Sequence, residues 1–230
     1  MSKSSGLSRP EDPGQIDRDG LAAVLRDGAR ELQIALDEAQ QTALLDYLAL
    51  LVRWNAVYNL TAVRDPSDMM ILHLLDSLAV VPQLIGLGAK RLLDVGTGAG
   101  LPGIPLAIAL PNLRVDLVDA VQKKVAFLTH AKGALSLDNI RPHHASVGAL
   151  TLSYKHDVIV SRAFSDLTTM LSWVSNLLEV EGTVLAMKGR TPVRELANLP
   201  PDWRVDDVVQ LKVPGLAAER CIVVVKRAAH

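Results

Sequence analysis

The sequence predicts an α/β protein in which a mostly parallel β-sheet ends in an antiparallel edge hairpin and follows an N-terminal helical extension. Short apolar, β-branched segments alternate with helical segments from about residue 86 onward, which is typical of βαβ units. The last two strand segments follow one another without a helical segment between them, which indicates a hairpin. Before residue 86 the periodicity is helical, and no strand signal interrupts it.

This pattern divides the chain of 230 residues into three parts. Residues 1–19 are polar and rich in Gly, Pro and Ser, so we expect a disordered tail. Residues 20–85 form the predicted helical extension, in which Leu44, Leu48 and Leu51 share one helix face. Breaks in these helices are predicted near Asn59 and at Pro66. Residues 86–230 form the predicted α/β domain.

Within the α/β domain each strand is recognised by a short apolar run, most of them flanked by Gly, Pro, Asn, Asp or Ser. The strands are predicted at residues 91–95, 113–118, 139–143, 157–161, 182–188, 206–212 and 221–226. Helical periodicity covers residues 106–110, 121–135 and 167–178.

Composition limits the classes of function. Lys and Arg total 24 and Asp and Glu total 25, for a formal net charge of −1. A protein that binds nucleic acid through its whole surface is more basic, so contact with RNA would need a local basic patch. The single cysteine, Cys221, excludes an intrachain disulfide and a cysteine zinc site. We found neither a signal-peptide core nor a run of roughly 18 apolar residues, so we expect a cytoplasmic protein without a membrane partner.

The segment with the most chemical information is LLDVGTGAGLPGIPLAIAL, residues 92–110. A strand ends at Asp94-Val95, Gly96, Gly98 and Gly100 follow at alternate positions, and a helix begins near Pro102. Glycines permit a tight turn and let a ligand approach the main chain without a Cβ clash. A strand, a glycine loop and a helix N-terminus together make a cradle of nucleotide size.

An acid at the tip of the next strand completes the pattern. Asp119 is placed to accept hydrogen bonds from the ribose hydroxyls of an adenosine-containing ligand. Residues 98–103, GAGLPG, satisfy the dinucleotide fingerprint, so NAD stays open as the ligand. However, the strand ends before that match begins. Asp94 also suits the cationic end of S-adenosylmethionine better than a pyrophosphate, so the residues favour S-adenosylmethionine.

The glycine segment, D-x-G-T-G-x-G-L-P-G-I-P-L, resembles the bacterial 16S ribosomal RNA guanine-N7 methyltransferases, the RsmG family, also called GidB. The similarity covers roughly residues 20–227. It includes W-N-x-x-Y-N-L-T at residues 54–61, His73 through Ser77, and Ser161-Arg162-Ala163-Phe164. Lys188-Gly189, and Glu219-Arg220 before an apolar strand, also match the family.

The resemblance implies a Rossmann-like class I methyltransferase fold, with S-adenosylmethionine bound by residues 86–230. It implies methylation at N7 of guanine 527, in the 530 loop of 16S ribosomal RNA. We therefore expect 16S RNA or the small ribosomal subunit as partner, and a monomeric enzyme. Together with the glycine loop it implies cofactor contacts at Gly96, Gly98, Gly100, Leu101, Asp119, Val147, Gly148 and Arg162. The sequence departs from the family at Gly148, where an acid is usual, and at Leu72, where an arginine is common.

Transfer of a methyl group to guanine N7 makes few chemical demands. N7 has a free lone pair and no proton to lose, so orientation supplies much of the rate and no general base is required. We therefore expect no catalytic acid–base residue, no metal and no nucleophilic cysteine. Candidates for RNA contact are Arg162, Phe164, Lys188, Arg190, His73 and Tyr58, while Trp54 and Trp173 are predicted to be core residues.

Three other functions stay open at this point. One is a methyltransferase that acts on a small molecule or a protein, which the near-neutral charge mildly favours. Another is an NAD-dependent oxidoreductase, which only GAGLPG supports. The last is a cofactor-binding assembly factor for the ribosome, which would bind S-adenosylmethionine without turnover.

Overall fold

A computed structural model describes residues 16–162, 164 and 166–228. Helix α1 (Arg18–Glu31) begins inside the predicted tail, because Asp17 caps it by accepting a hydrogen bond from the Gly20 amide at 3.1 Å. Residues 1–15 of the predicted tail lie outside the described residues. The tail boundary at residue 19 is thus two residues too late for the first helix.

Helix α2 (Glu38–Tyr58) has well-defined signals at both ends. Asp37 and Gln40 form a reciprocal capping box at its start. Asn59 ends the helix in the left-handed conformation, at φ 49°. The leucines at positions 44, 48 and 51 are buried, as their spacing predicts. The predicted break near Asn59 is therefore confirmed.

The rest of the extension is one helical stretch with a π-helical insertion. It consists of α3 (Pro66–Met69), the π segment (Met70–Leu75), α4 (Asp76–Leu78) and α5 (Val81–Gly86). Asp65 caps its first turn and Pro66 occupies the first helical position, which explains the predicted break there. Single-turn π-helices inside α-helices often occur at functional sites. This one carries His73.

By length and composition, the stretch Pro66–Gly86 is sufficient to cross a membrane, which the sequence analysis did not anticipate. In the structure, 67% of its most apolar window is buried inside the protein. The same apolar character is therefore explained by packing in the core.

Within the described residues, seven strands form one sheet in the order β3-β2-β1-β4-β5-β7-β6. All neighbouring pairs are parallel except those of β7, which is antiparallel to both β5 and β6. This confirms the predicted parallel sheet with an antiparallel edge hairpin. The strands are β1 (Arg91–Val95), β2 (Arg114–Asp119), β3 (Ile140–His144), β4 (His156–Ser161), β5 (Leu178–Lys188), β6 (Trp203–Leu211) and β7 (Arg220–Arg227).

The α-helices that the structure describes in the α/β part are α6 (Gly103–Ala109), α7 (Gln122–Ala134), α8 (Leu167–Val174) and α9 (Val193–Leu196). Helix α8 is shorter than predicted, because Leu178 already pairs with His156 in the sheet. The short α9 was not predicted. Between β3 and β4 the chain forms a 3₁₀ turn, Val147–Ala149, instead of a longer helix.

Packing on one face of the sheet is continuous with the extension. Leu48 of α2 and Leu74 of the π segment share a core with Leu106 of α6 and Phe127 of α7. The opposite face packs separately, around α8. The helical extension therefore supports the carboxyl edge of the sheet, where the glycine loop lies.

Candidate cofactor and acceptor site

The glycine loop adopts left-handed backbone conformations at all three predicted glycines. Gly96, Gly98 and Gly100 have φ values of 67°, 62° and 90°. The amides of Gly96 and Thr97 both donate to the carbonyl of Val118, at 3.0 and 3.1 Å, so the loop folds back over the end of β2. Residues with side chains rarely adopt these φ values, which explains the alternating glycines.

The three glycines face different surroundings. A Cβ at Gly100 would lie 2.5 Å from Ile104 Cδ1, so Gly100 is required for core packing. A Cβ at Gly96 would lie 3.5 Å from the Phe164 ring, and one at Gly98 would lie 4.0 Å from Lys124 Nζ. Leu101 is also buried in the core. Gly96 and Gly98 are therefore better placed for a ligand than Gly100 or the Leu101 side chain.

Asp119 is fixed against this loop. Its Oδ2 accepts from the Gly98 amide at 2.9 Å, and its Oδ1 accepts from the Val121 amide at 2.8 Å. Lys124 Nζ lies 3.5 Å from Oδ2. A carboxylate offers about four acceptor sites, so capacity remains for ribose hydroxyls. Contact between Asp119 and the ribose stays a prediction.

Asp94 carries an unpaired buried oxygen. Its Oδ2 accepts from Thr97 Oγ1 at 2.6 Å and from the Gly103 amide at 2.8 Å, while Oδ1 has no hydrogen-bond partner among the described residues. Complete burial raises the pKa of Asp94 to about 6, although the two hydrogen bonds act to lower it. An orphaned carboxylate oxygen at the tip of β1 is suited to a cationic group such as an ammonium.

The sequence analysis missed the role of Tyr47. Its buried hydroxyl donates to the carbonyl of Ala99, within the glycine loop, at 2.8 Å. Burial raises the pKa of Tyr47 well above its ordinary value, so it stays a hydrogen-bond donor. Tyr47 lies three residues after Leu44 and four before Leu51, on the apolar face that the sequence did reveal. The sequence signal for this contact was a tyrosine, with its polar hydroxyl, on an otherwise apolar helix face.

We expect Tyr47→Phe to lower the free energy of unfolding by about 1–2 kcal/mol, because it leaves the Ala99 carbonyl buried without its donor. The glycine loop should also bind the cofactor several-fold more weakly. Urea denaturation and calorimetric titration with S-adenosylhomocysteine measure the two effects. Tyr58→Phe, at an exposed tyrosine of the same helix, is the control, and equal behaviour of the two variants would contradict this role.

The other wall of the cradle is aromatic. Phe164 packs edge-to-face on Trp173, with 5.6 Å between ring centroids. A Cβ at Gly148 would lie 3.5 Å from the Trp173 ring, and the neighbouring Val147 is buried. Trp173 is 45% exposed, so the prediction that it is a core residue was wrong. The structure thus brings Gly148, Phe164 and Trp173 together beside Gly96.

Arg162 belongs to a chain of charges beside the loop. Its NH1 atom donates to the Leu72 carbonyl at 3.1 Å and lies 3.4 Å from Asp76 Oδ2. The other oxygen of Asp76 accepts from Arg220 Nε at 3.0 Å. Asp76 is 2% exposed, so both guanidinium groups are held by one buried carboxylate. The sequence motif Glu219-Arg220 does not reveal this ion pair, because its partner Asp76 lies 144 residues away in the chain.

His73 supports Arg162 from the π segment. Its Nδ1 lies 3.5 Å from Arg162 NH1, and its Nε2 is hydrogen-bonded to Thr61 Oγ1 at 2.8 Å. Burial, and then the Arg162 guanidinium, lower the pKa of His73 to about 4. His73 is therefore neutral at pH 7, and its contacts are with protein groups. A cleft of about 300 Å³ is lined by Leu72, Asp76, Arg162, Met187, Lys188, Gly189, Leu211, Arg220 and Cys221.

The remaining RNA candidates differ in their availability. Lys188 Nζ donates to the Phe164 carbonyl at 3.0 Å and pairs with Glu195 Oε2 at 2.8 Å. Its charge is thus neutralised, and it holds the loop after β4. Arg190 is exposed. Tyr58 is exposed at the end of α2, where its ring packs on Trp54 with 5.0 Å between centroids.

Among the residues that the structure describes, no group of three or more His, Cys, Asp or Glu side chains is arranged to hold a metal ion. Cys221 is buried in β7, and burial raises the pKa of its thiol.

The sheet order, the antiparallel β7 and the glycine loop at the carboxyl edge define a class I methyltransferase, an enzyme that uses S-adenosylmethionine. A family model described as rRNA small subunit methyltransferase G, GidB, matches residues 40–223. The chain belongs to this family. The unpaired oxygen of Asp94 and the open backbone of Gly96 and Gly98 fit the cofactor.

Relatives agree with this assignment, and solved structures agree with the fold. Ribosomal RNA small subunit methyltransferase G of Herminiimonas arsenicoxydans is 51% identical over 216 residues, covering 92% of this chain and 98% of that protein. The protein of the same name from Janthinobacterium sp. (strain Marseille) is 49% identical, with 92% and 97% covered. Among solved structures, TrmN from Thermus thermophilus has a TM-score of 0.52 at 21% identity, covering 69% of this chain and 53% of that chain. StiE O-MT residues 961–1257 has a TM-score of 0.53 at 13% identity, with 75% and 80% covered. The two structures show likeness of fold alone.

Proposed function

We propose that this protein methylates small-subunit ribosomal RNA, at N7 of guanine 527 in the 530 loop of 16S RNA. The cleft that contains Arg162, Asp76 and Arg220, beside the glycine loop, carries the proposal. Family membership supports methylation of small-subunit RNA. The specific base and atom rest on the resemblance and on the chemistry of the site.

The residues of the cradle would hold S-adenosylmethionine, which supplies the methyl group. Asp119 accepts from the ribose hydroxyls, and Asp94 receives the ammonium group. Gly96 and Gly98 offer bare backbone, while Val147, Gly148 and the Phe164–Trp173 pair lie at the adenine end. In this assignment the protein binds and orients the cofactor. Because the cradle is rigid, little rearrangement of the protein is needed before methyl transfer.

The acceptor side supplies orientation without proton transfer. Guanine N7 has a free lone pair, so the site needs no base, and the neutral His73 is engaged by Arg162 and Thr61. Arginine normally binds both O6 and N7 of guanine, which would block the reacting atom. Because Asp76 and the Leu72 carbonyl already engage Arg162, we infer that it contacts O6 or a phosphate and leaves N7 free.

Labelled-methyl transfer tests the proposal. The acceptors are small ribosomal subunits from cells that lack this protein, together with free 16S RNA, small-molecule acceptors and NAD-linked controls. Incorporation that maps to one guanine N7 in the 530 loop supports the proposal. Incorporation at another RNA position contradicts the base assignment. Binding of S-adenosylhomocysteine without transfer to any acceptor would instead favour an assembly factor.

The pH dependence of cofactor binding follows from Asp94. Protonation removes the charge that attracts the cofactor's ammonium and sulfonium groups, and the pKa of Asp94 lies at about 6. We expect the affinity for S-adenosylmethionine to fall about tenfold from pH 7 to pH 5, because the ionised fraction falls by that factor. Calorimetric titration at several pH values measures this change. In Asp94→Asn the affinity should be lower at pH 7 and nearly independent of pH; an unchanged slope would contradict the role of Asp94.

A further inference from the structure

On the face opposite α6 and α7, the start of β2 is covered by side chains of β3, β4 and their connection. Val115 and Leu117 of β2 pack with α6 and α7, so Asp116, which alternates with them, points to the other face. The connection from β3 to β4 forms a 3₁₀ turn and lays no long helix across that face. A pocket of about 660 Å³ opens there, at the amino ends of the first three strands.

The floor of this pocket is a satisfied polar network. Asp116 is hydrogen-bonded to His143 Nε2 at 2.6 Å and to His156 Nε2 at 2.9 Å, and it accepts from the Tyr154 hydroxyl at 3.1 Å. Burial acts to raise the pKa of Asp116, but the hydrogen bonds from His143 and His156 outweigh it and hold the pKa well below its usual range. The floor of the pocket is therefore held by hydrogen bonds, and the Asp116 carboxylate already has its hydrogen-bond partners.

The rim of the pocket is cationic. Arg91 and Arg114 are direct neighbours at the starts of β1 and β2, and Arg141 follows on β3. Arg91 pairs with Glu179. In the described part of the chain, neither Arg114 nor Arg141 forms an ion pair, although Arg141 donates to the Tyr154 hydroxyl at 3.3 Å. We call Arg91, Arg114 and Arg141 the amino-edge rim.

The other charged residues near the rim leave the net charge of this region positive. Lys90 and Lys155 are exposed and lie next to Arg91 and to the start of β4. Asp157 accepts from the Lys90 and Arg91 amides, at 2.9 and 3.0 Å. Asp138 is the exposed acid that lines the pocket. Among the described residues, Arg114 and Arg141 therefore carry exposed guanidinium groups without an ion pair, and Asp138 is the exposed carboxylate beside them.

We propose that the amino-edge rim binds phosphate groups of the acceptor RNA, as a second contact far from the methylated base. The proposal rests on the proposed function, since it takes RNA as the acceptor. A chain with a net charge of −1 needs local cationic patches to hold RNA. Arginine forks match phosphate oxygens in pairs. Along β2 the rim lies about 17 Å from Asp119 at roughly 3.3 Å per residue, a distance that a folded RNA spans easily.

The test compares two double charge reversals in the full chain. Arg114→Glu/Arg141→Glu changes the rim, and Arg26→Glu/Arg30→Glu makes the same change in charge on exposed positions of α1. Direct binding to small subunits and steady-state methylation are both measured against salt concentration. The rim variant should bind at least about tenfold more weakly near physiological salt, with a raised KM and kcat within about twofold. Arg114→Gln/Arg141→Gln should flatten the salt slope by about two, since each phosphate contact contributes roughly one.

The outcomes separate the two proposals. Binding of subunits is measured directly, so the rim is judged even if methylation maps elsewhere or fails, which would count against the proposed function alone. Unchanged binding and salt slope in both rim variants would overturn the RNA contact. Saturation by inorganic phosphate at millimolar concentration, with an unchanged salt slope for subunits, would also overturn it and indicate a small-anion site. Each variant must match wild type in thermal unfolding and in S-adenosylhomocysteine binding. If Arg114→Glu/Arg141→Glu fails to fold, Arg114→Gln/Arg141→Gln provides the test of binding.

Discussion

Asp119→Asn is expected to weaken S-adenosylmethionine binding by about 100-fold or more. The carboxylate is proposed to accept from two ribose hydroxyls while it accepts from the Gly98 and Val121 amides at 2.9 and 2.8 Å. Hydrogen bonds to a charged group contribute roughly 1.5–3 kcal/mol each, and 1.4 kcal/mol corresponds to tenfold in affinity. The asparagine side chain has the same shape but only one acceptor oxygen. Its NH₂ group would face one of the two backbone N–H donors, at Gly98 or Val121.

Calorimetric titration with S-adenosylhomocysteine avoids interference from turnover and gives the affinity directly. Asp138→Asn, an equal loss of charge at an exposed position before β3, should leave the affinity unchanged. Urea denaturation separates lost contacts from a loosened fold. If Asp119→Asn bound within about threefold of wild type while folding normally, the assignment of Asp119 to the ribose would be wrong.

Asp76→Asn should both destabilise the protein and slow methyl transfer. Its buried carboxylate lies between Arg162 NH1 at 3.4 Å and Arg220 Nε at 3.0 Å. Removing one partner of a buried ion pair costs about 3–5 kcal/mol, and partial exposure of the two guanidinium groups reduces this to about 2–3 kcal/mol. For a chain of this size, that corresponds to a Tm lower by roughly 4–12 °C. Arg162 would also lose the carboxylate that fixes it in the proposed acceptor cleft.

Differential scanning calorimetry and single-turnover methylation measure these two effects. Asp68→Asn, on the exposed side of the same helical stretch, is the matched control and should change Tm by less than about 2 °C. Cofactor affinity of Asp76→Asn should stay within a few-fold of wild type at a temperature where it is folded. A normal Tm together with normal transfer would show that the two arginines do not depend on Asp76.

Much of this structure is encoded in local patterns. Alternating strands and helices identified the parallel sheet, because burial on both faces makes each strand a continuous apolar run. The glycines at 96, 98 and 100 identified the loop, because left-handed backbone at successive alternate positions excludes most other residues. Even the helix breaks at Asn59 and Pro66 were readable, since capping and proline geometry act within a few residues.

The tertiary structure alone determines the contacts between residues that are far apart in the chain. Tyr47 donates a hydrogen bond to the Ala99 carbonyl, and Arg220 pairs with Asp76. Lys188 pairs with Glu195 and donates to the Phe164 carbonyl. Likewise, Trp173 is 45% exposed and packs on Phe164, which helix periodicity alone does not reveal. Sequence patterns report which face of an element is apolar. Which charged groups neutralise each other depends on distances that only the packed chain sets.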